Sequence, residues 1–351
     1  MPQPVFWISL LLTVSVFLPL IRNDYWIFKI LEYPRLQKLF LCLLVLGLCF
    51  IYLPGSTKEW ISTGLLTAAV VYLIYKIFPY TPLSAVEMKN APADVDVVCT
   101  VFAANVYQFN RNYQHLLNQI KKSRPDIIFL VETDHKWQAA AAILCESYPF
   151  TLQCPSDNTY GLLLFSRFPL DGQIRFLVKK DIPSVDTVVL LPSGDKFRLW
   201  GLHPEPPVPG ENLYSTAKDK ELLKVAFKVR DEQLPCLVVG DLNDVAWSYT
   251  TELFRKTSRL LDPRRGRGFY STFHAKNPLI RFPLDYIFCS SEFRLVSMER
   301  LSANGSDHFP TLTKLALIPN LAPCQDNPEL DAQELEAATE KASVSIDLQK
   351  D

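Results

Sequence analysis

An α/β fold set behind three membrane-spanning helices is what this sequence predicts. Three observations carry that reading. Apolar residues gather in three long runs within the first eighty positions. From about Asp94 the pattern changes to short β-rich segments alternating with helical spacing. The polar residues that stand out lie at or beside the ends of those short segments, the edge where α/β sheets form their sites.

At 351 residues the chain has room for two domains. Thirty-six Lys and Arg face 37 Asp and Glu, for a net charge of −1. No whole-chain basic field advertises nucleic acid. Eight cysteines are scattered without a C-x-x-C pair, and two lie in apolar runs. That pattern argues against a zinc site or a disulfide framework and for small core residues.

The apolar runs are Val5 to Ile21, Leu39 to Leu53 and Ile61 to Ile77. Each approaches the roughly 20 residues that cross a hydrocarbon core. Trp7, Tyr25, Trp26, Tyr52, Trp60 and Tyr80 lie near their ends, as an interfacial belt would. The first run lacks a basic leader and a clear cleavage site, so it reads as an anchor in the lipid bilayer. Arg22, Lys29, Arg35 and Lys38 fall in or beside the first connection, against Lys58 alone in the second. Counting positive charge places that first connection and the C-terminal domain in the cytoplasm.

Residues 1–80 thus form the anchor, and Pro79, Pro82 and Pro92 mark a linker over 81–94. The soluble domain runs over 95–318. Val97 to Phe102 reads as a strand before Asn105, Asn112 to Ser123 as a helix, and Ile127 to Val131 as a buried strand ending at Glu132. Trp137 to Tyr148 is Ala-rich and helical, and Gly161 to Phe165 is a strand. Thr187 to Leu191 and Phe197 to Leu202 flank Pro-Ser-Gly-Asp as a hairpin, and His203 follows. An amphipathic helix, Tyr214 to Val229, leads into the strand at Leu237. Tyr286 to Cys289 is a short strand just after Asp285, and Thr311 to Leu317 is the last. The stretch 319–351 is acidic, with no apolar face. It reads as a solvated, disordered tail with some helical content.

Leu-Val-Val-Gly-Asp-Leu-Asn-Asp, 237–244, is the most informative stretch. If the extended backbone continues through it, Asp241 and Asn243 share one face at a strand end. There they could handle a proton and hold an anionic oxygen. The other reading is a strand running into an Asx turn. Asn105, Glu132, His203, Asp285, Asp307 and His308 occupy comparable positions. Four carboxylates with no cysteine ligand pattern suit a hard cation such as Mg²⁺ or Mn²⁺. Histidines beside carboxylates suit proton transfer near neutral pH. Together the set fits metal-assisted hydrolysis of a phosphate ester.

In this order the residues resemble the endonuclease/exonuclease/phosphatase superfamily. The matching pieces are Asn105, Pro-Asp-Ile-Ile-Phe-Leu-Val-Glu (125–132), Tyr-Gly-Leu-Leu-Leu-Phe-Ser-Arg (160–167) and Gly-Leu-His-Pro (201–204). Gly-Asp-Leu-Asn (240–243), Leu-Asp-Tyr-Ile-Phe (284–288) and Ser-Asp-His-Phe-Pro (306–310) complete them. The resemblance implies a four-layer α/β/β/α sandwich over about 95–318. It implies Glu132 as the main metal ligand, with Asn105 and Asp307 near the metal or its waters. His308, polarised by Asp285, would orient or deprotonate water, and Asn243 and His203 would bind phosphate. Asp241 would orient the nucleophile or protonate the leaving group.

A closer likeness is to bacterial members anchored by three N-terminal spans, which implies an inner-membrane location. It rests on the Pro-rich stretch after His203, the Arg-Arg-Gly-Arg-Gly loop (264–268) and Trp247. The basic start common in that group is missing here. Arg264, Arg265 and Arg267 read either as a phosphate clamp or as a solvated loop. Phe269, Tyr270 and Phe273 beside them read as core packing rather than base stacking. The substrate class stays open between nucleic acid, placed first, and a phospholipid or phosphoinositide head group. A non-catalytic scaffold that binds a phosphorylated ligand is the alternative of another class.

Overall fold

The computed structural model describes residues 1–95 and 99–346. Val97 and Val98, the expected start of the first strand, lie outside the described residues. The N-terminal helices are α1 (Gln3–Phe17), α2 (Trp26–Ile30), α3 (Arg35–Tyr52) and α4 (Thr57–Ile77). Helices α1, α3 and α4 pack around Val45, Leu66 and Leu73, with Trp7, Phe40 and Trp60 turned outward. The segments Gln3–Ile21, Arg35–Tyr52 and Thr57–Tyr80 are each long and apolar enough to cross a membrane.

The rest of the chain is mixed α/β. In order it holds β1 (Cys99–Asn105), α5 (Tyr113–Ser123), β2 (Ile127–Val131), α6 (His135–Ala141), β3 (Phe150–Cys154) and β4 (Leu162–Ser166). There follow β5 (Leu170–Arg175), β6 (Ser184–Leu190), β7 (Lys196–Leu202), α7 (Thr216–Arg230), β8 (Cys236–Asp241) and α8 (Tyr249–Ser258). Last come β9 (Asp285–Cys289), β10 (Phe293–Arg300), β11 (Thr311–Leu317) and α9 (Ala332–Ser343). One sheet has the order β10-β11-β1-β2-β4-β3 and the other β5-β6-β7-β8-β9. Each contains one parallel pair, β1 with β2 and β7 with β8.

The central strands are apolar on both faces because both are covered. Leu237 and Val239 of β8 meet Val101 and Phe129 between the sheets. Val238 points outward against Leu222 of α7 and Phe254 of α8. On the far face of the larger sheet, Phe102 and Ile128 pack with Leu116 of α5 and Trp137 of α6. The result is the expected four layers, α/β/β/α. The three strands the sequence did not announce, β3, β5 and β10, are all sheet edges. An edge strand such as β5, Leu-Asp-Gly-Gln-Ile-Arg, is half solvated and lacks an apolar run. Helix α8 was missed for a similar reason: its one hydrophobic face is short and sits among Thr and charged residues.

Three expectations need correction. The 319–351 stretch is not a solvated tail throughout, because α9 is capped by an Asp331–Glu334 capping box and docks on α7. Its contact face is Ala337, Ala338 and Ala342, small enough to be invisible as an apolar stripe, and Ala338 is fully buried. Lys341 bonds Asp24 at 2.8 Å and Asp219 at 2.9 Å. Tyr80 belongs to no interfacial belt: it is buried and donates to Ala246 O at 2.6 Å. Within the Arg264 loop, Arg264 and Arg265 are neither clamp nor solvated. Arg264 is buried, bonds Asp262 at 2.7 Å and stacks 4.0 Å from the Tyr286 ring. Arg265 pairs with Glu252 at 3.3 Å, and Arg267 donates to Met88 O at 2.6 Å.

Gly240 sets the geometry at the end of β8. Its φ is 146°, and a Cβ there would lie 1.9 Å from Leu202 O on β7. Gly240→Ala is expected to destabilise the domain by more than about 3 kcal/mol. The check is thermal unfolding of the full chain, and an unchanged Tm would refute the close-approach argument.

Candidate active site

The β1, β2, β7 and β8 ends meet at one edge of the sandwich, and each delivers a polar residue. Asn105 closes β1, Glu132 follows β2, His203 follows β7 and Asp241 closes β8. Asp285 opens β9, and Asp307 and His308 lead into β11. Asn105, His203, Asp241, Asp285 and His308 are buried, while Asp307 is half-buried.

Asp241 and Asp285 are register partners across β8 and β9. Like charges directly opposed are destabilising. His308 lies between them. Its Nδ1 bonds Asp285 Oδ2 at 2.8 Å, and its Nε2 is 3.5 Å from Asp241 Oδ2. Burial alone would lower the His308 pKa, but Asp285 and Asp241 overcome it and hold the ring well above its ordinary value. Asp241 shifts upward, by burial and then by the charge of Asp285. Asp241 and His308 are thus both biased toward holding a proton.

The Asn105 carboxamide joins the two sheets. Its Nδ2 donates to Glu132 Oε1 at 2.6 Å and to Asp241 Oδ2 at 3.0 Å, and its Oδ1 accepts from Tyr107 N at 2.9 Å. Glu132 has φ 58°, left-handed backbone that costs of order 1 kcal/mol for such a side chain. That turn, not the strand direction, carries its carboxylate into the cleft. Burial raises its pKa.

The premise that Asp241 and Asn243 share a strand face is not met. The backbone turns, with Asn243 at φ 50°, and Asn243 N donates to Asp241 Oδ1 at 2.9 Å. This is an Asx turn. It brings the two side chains into one site by reversing the chain, so the turn and the functional reading are the same object. Asn243 Nδ2 donates to Pro204 O at 2.9 Å and sits 3.3 Å from His203 Nε2. Burial, then the charge of His308, lowers the His203 pKa to about 3, so this ring is neutral. Its buried Nδ1 has no partner among the described residues.

Glu132, His203, Asn243, Asp307 and His308 line a cleft of about 520 Å³, with Asn105, Asp241 and Asp285 buried behind them. Ile30 and Tyr33, from the connection between α1 and α3, form part of its wall. Tyr33 OH donates to Asn243 O at 2.7 Å, and Trp247 Nε1 donates to Glu32 O at 2.9 Å. Neither Ile30 nor Tyr33 carries a sequence signal for the site, since their place is set by docking. Ser306 was also missed, although it lies inside Ser-Asp-His. Its hydroxyl donates to Asn105 O at 2.8 Å and accepts from His308 N at 3.0 Å, fixing the turn that presents His308.

The donor set suits a hard divalent cation. Among the described residues no Lys or Arg nitrogen lies within 4.0 Å of the carboxylate oxygens of Glu132, Asp241, Asp285 or Asp307, so only His308 pairs with any of them. Arg264 reaches only the backbone oxygen of Asp285, at 3.3 Å. Asp241, Asp285 and His308 have ligand atoms within 4.8 Å of one another. Both ring nitrogens of His308 face carboxylates, so that trio reads as a proton relay. Glu132 and Asp307, which line the open cleft, are the freer oxygen donors.

The chain belongs to the Endonuclease/Exonuclease/phosphatase family, whose model matches residues 102–308. Solved structures with the same fold include an endonuclease/exonuclease/phosphatase from Beutenbergia cavernae, at 17% identity and TM-score 0.51, covering 64% of this chain and 72% of that one. The human Nocturnin catalytic domain with bound sulfate matches at 19% identity and TM-score 0.52, covering 63% and 94%. D. rerio TDP2 complexed with single strand DNA product matches at 17% identity and TM-score 0.51, covering 62% and 98%. No curated protein sequence matches the chain. Family membership and the site together make it a hydrolase of phosphate esters.

Asp285→Asn leaves the shape of the relay and removes the charge that holds the His308 proton. Turnover of bis-p-nitrophenyl phosphate by the full chain is expected to fall by roughly 10²- to 10⁴-fold. A loss of less than about threefold would remove His308–Asp285 from the chemistry.

Proposed function

We propose that this chain is a membrane-anchored, divalent-metal-dependent phosphodiesterase whose substrate is a phosphate ester carried by the bilayer. The cleft wall carries this reading. Among the described residues no Lys or Arg lines the cleft, whereas Ile30, Tyr33, Phe109, Ile280 and Phe282 do. A nucleic-acid backbone needs a basic track, and an amphiphile needs apolar walls around a few polar groups. Ile30 and Tyr33 also tie the cleft to the base of the anchor helices. A nuclease is the second reading, supported by the likeness to TDP2 with its DNA product.

In this reading Glu132 holds the metal, with Asp307 beside it and Asn105 fixing the Glu132 carboxylate. The family's general use of divalent metals supports the choice of Mg²⁺ or Mn²⁺. When bound, such an ion neutralises charge on the phosphoryl oxygens. His203, whose Nδ1 has no partner among the described residues, offers that N–H to the phosphate, and Asn243 holds the ring through its Nδ2–Nε2 contact. His308, charged and oriented by Asp285, supplies positive charge and a transferable proton at Nε2. Asp241, with its affinity for protons raised by burial, accepts or returns the proton on the water side.

The full chain is the material to assay, because a soluble fragment lacks Ile30 and Tyr33. Phospholipid vesicles and plasmid DNA would be compared with Mg²⁺ and with chelator. Chelator-sensitive lipid head-group release, reduced at least about 10²-fold by Glu132→Gln, is expected. DNA cleavage without lipid turnover would replace the substrate assignment with the nuclease reading.

The first connection packs on the catalytic domain, so both lie on one side of the bilayer, and charge count makes that side cytoplasmic. Cys145 and Cys324 are exposed on the domain. A membrane-impermeant maleimide should label them only after the cells are permeabilised. Labelling in intact spheroplasts would reverse the orientation.

A further inference from the structure

A second groove, about 910 Å³, lies where α3 meets the loops around residues 267–281 and Arg300. Its polar side holds Arg267, Arg281 and Arg300. Among the described residues none has a carboxylate within 4.0 Å, whereas Arg255, Arg264 and Arg265 are all ion-paired. Arg300 donates to Ser271 O at 2.7 Å and Arg267 to Met88 O at 2.6 Å, bonds that satisfy donors and leave the charges uncompensated. The guanidinium groups of Arg281 and Arg300 lie 5.2 and 4.5 Å from the same Phe309 ring. Arg281 Nε is buried with no partner among the described residues. Two cations held on one ring repel unless an anion joins them.

The groove's other side is apolar and belongs to the anchor. Phe40 and Leu41 of α3 line it and are 66% and 45% exposed. They stand about 8 Å along the axis from Arg35, where α3 begins. Leu279, 79% exposed, lines the opposite lip, and Gln37 Nε2 donates to its carbonyl at 2.9 Å. Arginines at the mouth and apolar side chains one step deeper match a phosphate head group with its acyl chains.

We propose that this groove binds the head group of an anionic phospholipid from the surrounding bilayer, separate from the substrate. The loop pairing Phe273 with Phe282 divides the two sites: Ile280 lines the catalytic cleft, and Leu279 and Arg281 line the groove. Lipid in the groove therefore braces a wall of the cleft. The inference rests on the membrane-anchored reading and is independent of hydrolysis.

The test is native mass spectrometry of the delipidated full chain in detergent, titrated with phosphatidylglycerol and phosphatidylcholine without metal. The native chain should prefer phosphatidylglycerol by roughly tenfold or more. Arg281→Gln with Arg300→Gln should lose that preference, and the paired lysine variant should keep part of it. If the glutamine pair fails to fold, Arg300→Gln alone, at an exposed position, carries the comparison. Equal affinity for the two lipids, or an unchanged preference in the glutamine variant, overturns the site. Displacement of phosphatidylglycerol by excess inorganic phosphate also overturns it, in favour of a soluble anion. Retained lipid preference in a chain that hydrolyses nothing would support the groove and count against the hydrolase assignment alone.

Discussion

Asp241 and Asp285 are forced into opposition by the β8–β9 register, and both are buried. Left alone, two desolvated carboxylates in that arrangement would push the strands apart or take up protons. His308 resolves the conflict from the other sheet, since it stands at the entry to β11. The closure of the sandwich at this edge and the charge state of its chemistry are therefore one interaction. The same residues that could cleave a phosphate ester hold the two sheets in register with each other.

Asn105 plays the complementary part. One carboxamide binds a carboxylate of its own sheet, Glu132, and one of the opposite sheet, Asp241. Its neutral donors separate the two acids without cancelling their charge. What remains, among the described residues, is a set of carboxylates that only His308 pairs with, an electrostatic deficit that suits a divalent ion. The left-handed Glu132 and Asn243 and the tight Gly240 surround it. At these positions the backbone departs from the sheet and lets the polar groups face inward.

The N-terminal helical segment is structurally continuous with this site. Lys29 reaches buried Asp219 at 3.3 Å, Trp247 and Tyr80 bond across the boundary, and Tyr33 touches the Asx turn itself. Helix α9 closes over the same junction through Lys341. The basic residues of the first connection are thus partners of the domain. Arg255, Arg264 and Arg265 are ion-paired within the domain, whereas among the described residues Arg267, Arg281 and Arg300, facing the groove beside α3, have no carboxylate partner.

The sequence by itself determined the α/β class, the apolar helices, most central strands and the identity of the polar set. Strands covered on both faces leave continuous apolar runs, and polar residues at their ends interrupt those runs visibly. Edge strands left no such trace, which is why β3, β5 and β10 emerged only from pairing. Ala338 and its neighbours did not register as a docking face because alanine contributes little area to a pattern. Tertiary structure alone decided that Asp241 faces Asp285, that Arg264 is buried on Tyr286, and that Tyr33 completes the cleft. Those are contacts between segments far apart in the chain, and local periodicity carries no information about which distant surface a side chain will meet.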